Sequence, residues 1–220
     1  MAQKIHLYFV PGTAASSKIF EHLSLPENLF EVHLLEWILP THKEEPIVDY
    51  AKRMCAFIKH ENPVLIGVSF GGLMAQEMSK HIQVSKIVLI SSVKSNREFS
   101  KLLHGFRKTK SYLLFPSQLL NKPAFLKRVF IGATLKKKRA QYDRYLSKRE
   151  PLYLDWAIYA LLHWKQESPL PNTLHIQGTN DAIFPVKYLQ NYIPVQNGSH
   201  VMILTRAREI SNLLTKHLPS

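Results

Sequence analysis

The sequence predicts an α/β fold: a mostly parallel sheet of six strands with helices on both faces, and a helical insertion ahead of the fifth strand. Three observations predict it. Apolar runs of strand length recur along the chain, separated by stretches of helical periodicity, which is the pattern of parallel strand-helix-strand units. The most apolar short run, Pro63-Val64-Leu65-Ile66, passes through Gly67-Val68-Ser69-Phe70-Gly71 directly into a helical stretch from Gly72 to Met78. Between residues 94 and 168 the rhythm changes: Gly105, Pro116, Pro123, Gly132 and Pro151 divide the chain into short helical pieces with no alternating strand pattern. This divides 220 residues into a core, 1–93 and 169–220, and a helical cap, 94–168. A composition of 45% hydrophobic and 20% charged residues is that of a folded protein and excludes disorder.

The elements follow in order. A first strand is expected over 4–10, closing in the turn Val10-Pro11-Gly12-Thr13. The residues before it are too few and too polar for a signal-peptide core, and no run approaches the roughly 18 apolar residues of a membrane helix, so a cytoplasmic location is expected. A second strand, 30–36, precedes a helix over 46–60, whose apolar-periodic stretch carries the single cysteine, Cys55. Cys55 is expected to act as a buried small hydrophobe, and one cysteine makes no internal disulfide. The third strand, 63–68, feeds the serine turn and a helix over 71–81, and the fourth strand spans 84–91. After the insertion come a fifth strand, 173–178, a short helix, 185–190, a sixth strand, 191–196, and a helix over 201–217. Ile210, Leu213, Leu214 and Leu218 give that last helix an apolar stripe for covering the sheet.

Ser69 is the leading candidate for chemistry. A serine in a sharp strand-to-helix turn is backbone-strained, so side chains two residues before and after it would clash, and both positions, Gly67 and Gly71, are glycine. The helix that follows aims its free N–H groups at the place where an oxyanion would form. A hydroxyl is a poor nucleophile near neutral pH and needs a base, and the base needs an acid to orient it. Both must lie in loops at the carboxyl ends of strands, the edge that carries Ser69. Gly178-Thr179-Asn180-Asp181 follows the fifth strand, and Gln196-Asn197-Gly198-Ser199-His200 follows the sixth. The chain order Ser69, Asp181, His200 is one of three known arrangements of this triad.

With these residues in place, the whole chain resembles the alpha/beta-hydrolase superfamily, as a compact capped member of the serine esterase or thioesterase kind. The resemblance implies that Ser69, Asp181 and His200 are catalytic and that the backbone N–H groups of Thr13 and Phe70 form the oxyanion hole. It also implies that Gly12 allows close approach of substrate. Three departures stand out: Pro11 replaces a common histidine, no hairpin fits before Lys4, and Ile38-Leu39-Pro40-Thr41-His42 is a degraded Asp-x-Pro-Gly-His-Gly. None touches the triad. The expected function is hydrolysis of a carboxylic ester or thioester through an acyl-serine, a reaction that requires no cofactor. The alternative is a non-catalytic or non-hydrolytic protein of this fold, recruited to anionic membranes or acidic partners through its cap.

Blander roles compete for each residue. Ser69 could merely cap the helix, and Asp181 could be an Asx-turn residue. Asn180 beside it cannot supply the negative charge. Among the other histidines, His6 and His175 lie within strands, while His60 and His81 lie near helix ends, where contact with the helix dipole accounts for them. No metal site is expected, because the chain has no His-Glu-x-x-His and no cysteine cluster, and its histidines lack ligand spacing. Nucleotide fingerprints are absent as well.

The net charge of +13 is local. Residues 94–150 carry 16 Lys and Arg against 3 Asp and Glu, and the rest of the chain carries 13 of each. Lys136-Lys137-Lys138-Arg139, Arg107-Lys108, Lys127-Arg128, Arg144 and Lys148-Arg149 are interleaved with aromatic residues, among them Phe106, Tyr112, Phe115, Phe125, Phe130 and Tyr145. Four consecutive basic residues spread around a helix and suit a solvated surface, but the wider mixture suits an anionic partner: an acidic membrane surface, a phosphate-bearing thioester or an acidic carrier protein. No nucleic-acid module appears, and no specific nucleic acid is expected.

Overall fold

A computed structural model describes residues 3–109, 144–148 and 150–218. Six strands form one sheet in the order β2-β1-β3-β4-β5-β6, and every neighbouring pair is parallel. They are β1 (Ile5–Val10), β2 (Phe30–Leu34), β3 (Val64–Val68), β4 (Lys86–Ile90), β5 (Thr173–Gly178) and β6 (Ile193–Val195). The helices are α1 (Ile47–Cys55), α2 (Phe70–Met78), α3 (Lys101–Thr109), α4 (Pro151–His163), α5 (Met202–Thr205) and α6 (Ala207–His217). The doubly covered α/β architecture expected from the apolar runs is present, and the sheet is parallel throughout.

A parallel sheet is buried on both faces, so its central strands need apolar residues at successive positions. β3 is buried at all five residues. Tyr8, Val10, Leu65, Ile87 and Leu89 pack with residues of α1, α2 and α4 in one cluster. Leu7, Phe9, Val64, Ile66 and Val88 pack with Met202, Ile203, Ile210 and Leu214 of α5 and α6 in the other. The period-2 alternation of strand side chains thus divides one run of residues between two cores.

Three helices differ from expectation. α1 stops at Cys55 because the chain is captured under the sheet edge, where the Lys59 N–H donates to the Tyr8 hydroxyl at 3.0 Å. Cys55 is half-buried, and burial raises its thiol pKa to about 11, so it is a protonated packing residue at neutral pH. The expected helix at 185–190 is only a single turn at Val186–Tyr188, flanked by extended Pro185 and Leu189. The helix expected over 201–217 is broken at Arg206 (φ −130°, ψ 27°), so that both α5 and α6 lay apolar residues on the sheet.

α3 and α4 lie between β4 and β5, in the segment expected to be an insertion. Gly132, Lys127-Arg128, Lys136 to Arg139 and the aromatic residues Tyr112, Phe115, Phe125 and Phe130 lie outside the described residues. No helix among the described residues is long and apolar enough to cross a membrane.

Candidate active site

The sheet register brings the carboxyl ends of β1, β3, β5 and β6 to one edge. Ser69 follows β3 at φ 54°, ψ −121°, a strained conformation for a residue with a side chain. The glycines around it are there for close approach. A Cβ on Gly67 would overlap the Gly71 carbonyl and lie 2.5 Å from the Gly72 Cα, and one on Gly71 would strike the carbonyls of Val10 and Pro11. Gly12 is different: a Cβ there would sit 3.5 Å from that of Ser69, in ordinary contact, so its lack of a side chain leaves room beside the serine. Ser69 occupies the N-cap position of α2 but makes no side-chain cap bond, which removes the blander reading of it.

Its hydroxyl instead lies 2.9 Å from His200 Nε2. On the other side of the ring, His200 Nδ1 is 2.9 and 3.1 Å from the two oxygens of Asp181. All three residues are buried, with Ser69 and His200 each 8% exposed. The Asp181 turn and the ion-pair role coexist, because Oδ1 accepts the N–H groups of Ile183 at 2.8 Å and Phe184 at 2.9 Å. Burial pushes the Asp181 carboxyl upward, but the neighbouring His200 and these two backbone donors outweigh it and hold the pKa below its ordinary value. Asp181 is therefore charged at neutral pH and fixes the imidazole with Nε2 toward the serine. Such a chain can take a proton from a hydroxyl while that hydroxyl attacks an electrophile.

Both expected oxyanion donors neighbour Ser69, one along the chain and one across the cleft. Phe70 opens α2, and Thr13 lines a cleft with Ser69 and His200. Among the described residues, neither backbone N–H has a hydrogen-bond acceptor. The cleft walls are apolar and include Ile19, Ile203 and Leu204. Tyr145 and Leu146, from the far end of the insertion, complete them. That stretch is tied down by the Ser16 N–H donating to the Tyr145 carbonyl at 3.0 Å and the Lys148 N–H donating to the Ala14 carbonyl at 3.0 Å.

Supporting residues went unread in the sequence. Gln177 Nε2 donates to Asp181 Oδ2 at 2.8 Å and to the Phe184 carbonyl at 2.9 Å, locking the carboxylate from the strand side. The Ser92 hydroxyl donates to the Ser69 carbonyl at 2.7 Å, and Trp37 Nε1 donates to the Gly12 carbonyl at 3.0 Å. A polar residue in the middle of the buried run of β5 was the available signal for Gln177. Nothing in the local sequence marks Ser92 or Trp37.

Residues 7–213 match the model of the alpha/beta hydrolase family. The chain belongs to the alpha/beta hydrolase family. Solved structures of this architecture agree with it at low identity. A hydrolase from Pseudomonas aeruginosa superposes with a TM-score of 0.75 at 13% identity, covering 100% of this chain and 92% of its own. MenH from S. aureus superposes with a TM-score of 0.72 at 14% identity, covering 100% and 95%. A thermophilic esterase from Thermogutta terrifontis gives 0.71 at 13% identity, covering 100% and 91%. At these identities the likeness concerns the fold. No curated protein matches the sequence. Within this alpha/beta hydrolase, the serine turn, the acid loop and the histidine loop occupy the ends of β3, β5 and β6, the edge where open α/β sheets place their sites.

Proposed function

We propose that the protein is a serine hydrolase that cleaves a carboxylic ester or thioester through an acyl-serine, with Ser69, His200 and Asp181 as its catalytic triad. The observation that carries this reading is the unbroken chain of contacts from Ser69 Oγ to His200 to Asp181, mounted on a strained turn that leaves the hydroxyl free of capping. Ser69 Oγ attacks the acyl carbon as its proton passes to His200 Nε2, and Asp181 stabilises the resulting imidazolium. The N–H groups of Thr13 and Phe70 hold the oxyanion. The intermediate collapses, His200 returns the proton to the leaving alcohol or thiol, and water activated by the same histidine releases the acid. An apolar cleft suits an acyl chain, and Tyr145 and Leu146 support the reading of residues 94–168 as a cap that shapes it.

Ser69→Ala is expected to lower turnover of p-nitrophenyl esters or acyl thioesters by about 10⁴ to 10⁶ while the fold is retained. Undiminished hydrolysis by that variant overturns the assignment. A fluorophosphonate probe gives an independent readout, with prompt labelling expected at Ser69 alone.

A second reading has one observation in its favour, the concentration of positive charge in residues 94–150. In it, the fold serves as a scaffold recruited to anionic surfaces or an acidic carrier. A folded, unmodified protein that fails to react with the probe would select it.

A further inference from the structure

At the opposite end of the sheet from Ser69, four side chains distant in sequence meet. β1 pairs with β2 so that His6 lies opposite Glu31 and Tyr8 opposite His33, on one face. The turn after α1 brings His60 onto the same spot, with its ring stacked on that of His6 at 3.6 Å. His6 Nδ1 and His33 Nε2 are 3.1 Å apart, and the Glu31 carboxylate places Oε2 3.7 Å from the first and Oε1 3.6 Å from the second. One ligand atom from each of the four residues lies within 4.8 Å of every other.

We propose that His6, Glu31, His33 and His60 form a binding site for a divalent transition metal ion, Zn²⁺ by its chemistry, that is structural and separate from the hydrolytic site. Two nitrogens bound about 2.05 Å from a tetrahedral zinc stand about 3.3 Å apart, close to the His6–His33 separation. In the metal-free protein one of those rings donates an N–H to the other, and on metal binding that ring takes its other tautomer, its proton moving to the nitrogen that faces away from the ion, so that both facing nitrogens offer lone pairs. Three imidazoles with one carboxylate are a borderline-soft set that favours zinc over magnesium or calcium.

The outer contacts also suit a ligand set. His60 Nδ1 lies 2.7 Å from the Tyr8 hydroxyl, so an Nδ1–H donating there leaves Nε2 for the metal, the support that ligating histidines ordinarily have. Face-to-face rings cannot aim in-plane lone pairs at one point, so His60 tilts away from His6 as the ion binds. The hydroxyl also accepts the Lys59 N–H, which anchors the loop while the ring turns. From His6 to Gly12 the chain runs about 20 Å at strand rise, which sets this site well away from Ser69. Its effect would be to staple β2, which among the described strands pairs only with β1, to the loop leading into β3.

The experiment uses the full-length protein without a histidine tag. Equilibrium dialysis is expected to give one bound Zn²⁺ per chain, with Co²⁺ in its place producing the visible absorption of a tetrahedral site. With free Zn²⁺ a hundredfold above its dissociation constant, Tm should rise by about 5–10 °C. His33→Ala and Glu31→Gln are each expected to weaken binding at least tenfold, and His42→Ala, an exposed histidine outside the cluster, leaves it unchanged. If His33→Ala does not fold, Glu31→Gln carries the comparison alone, since its side chain is 48% exposed. Absence of zinc binding, or binding that survives in the cluster variants, overturns the proposal.

Discussion

Asp181 receives more hydrogen bonds than any single role would need: the imidazole of His200, the amide of Gln177 and the N–H groups of Ile183 and Phe184. The carboxylate cannot rotate, so the tautomer it imposes on His200 is fixed. Asp181→Asn keeps the shape but presents an amide that can donate to Nδ1 and so stabilise the tautomer with its proton on Nε2, facing Ser69. Turnover is expected to fall by about 10⁴, measured as kcat on the same ester panel, with little change in Tm. This residue was legible in sequence because chain order and loop position restrict the acid to few positions. Gln177 was not, since its role depends on a turn that folds back across β5. The same limit hid the histidine cluster: residues 6, 31, 33 and 60 have no common spacing, and only the pairing register of β1 with β2 makes them neighbours. The sequence places His60 near a helix end, whereas in the structure it contacts His6 and Tyr8.

Elements show a similar division. The inner strands were visible because a doubly buried strand must be apolar at consecutive positions, whereas helix ends depend on what captures the chain, as Tyr8 does after α1. The serine turn is the most constrained junction. Gly67→Ala would place a methyl group against the Gly71 backbone, which cannot yield without moving α2, so a loss of about 2–3 kcal/mol is expected in urea unfolding, together with loss of probe labelling. β5 has a pH-dependent weakness. His175 is 2% exposed, and its pKa is lowered to about 4, first by burial and then by the Lys94 charge. The unfolded chain binds this proton near pH 6.5 and the folded chain only near 4, so stability declines as pH falls through that window. Between pH 7 and 5 the wild type should lose about 2 kcal/mol that His175→Gln retains, read from denaturant midpoints at the two pH values.

At the scale of the whole molecule, the excess positive charge belongs to one stretch of sequence and the three site residues to others. Several cations of the insertion are already engaged: Lys94 with Glu98 at 3.7 Å, Arg97 with Glu167 at 3.2 Å and Arg144 with Glu21 at 2.5 Å. In the recruitment reading proposed above, attraction to an anionic surface would draw mainly on the other basic residues of the insertion, and Lys136 to Arg139 are the longest run of these in the sequence. Flotation with anionic vesicles is expected to weaken as salt rises and to drop when Lys136, Lys137 and Lys138 are changed to Glu, and binding indifferent to salt or lipid charge would remove that recruitment. The charge asymmetry was plain from sequence, while the cleft that Tyr145 and Leu146 help to close was not, because a wall built from two distant segments has no local signature. The separation of Ser69 from His200 also has a kinetic meaning. The serine belongs to the third strand and its base to a loop beyond the sixth, so a chain released after β4 would hold a formed turn without reactivity. During refolding, acquisition of phosphonate reactivity would time the docking of the last strand rather than the collapse of the first four, making Ser69 a chemical clock for completion of the sheet.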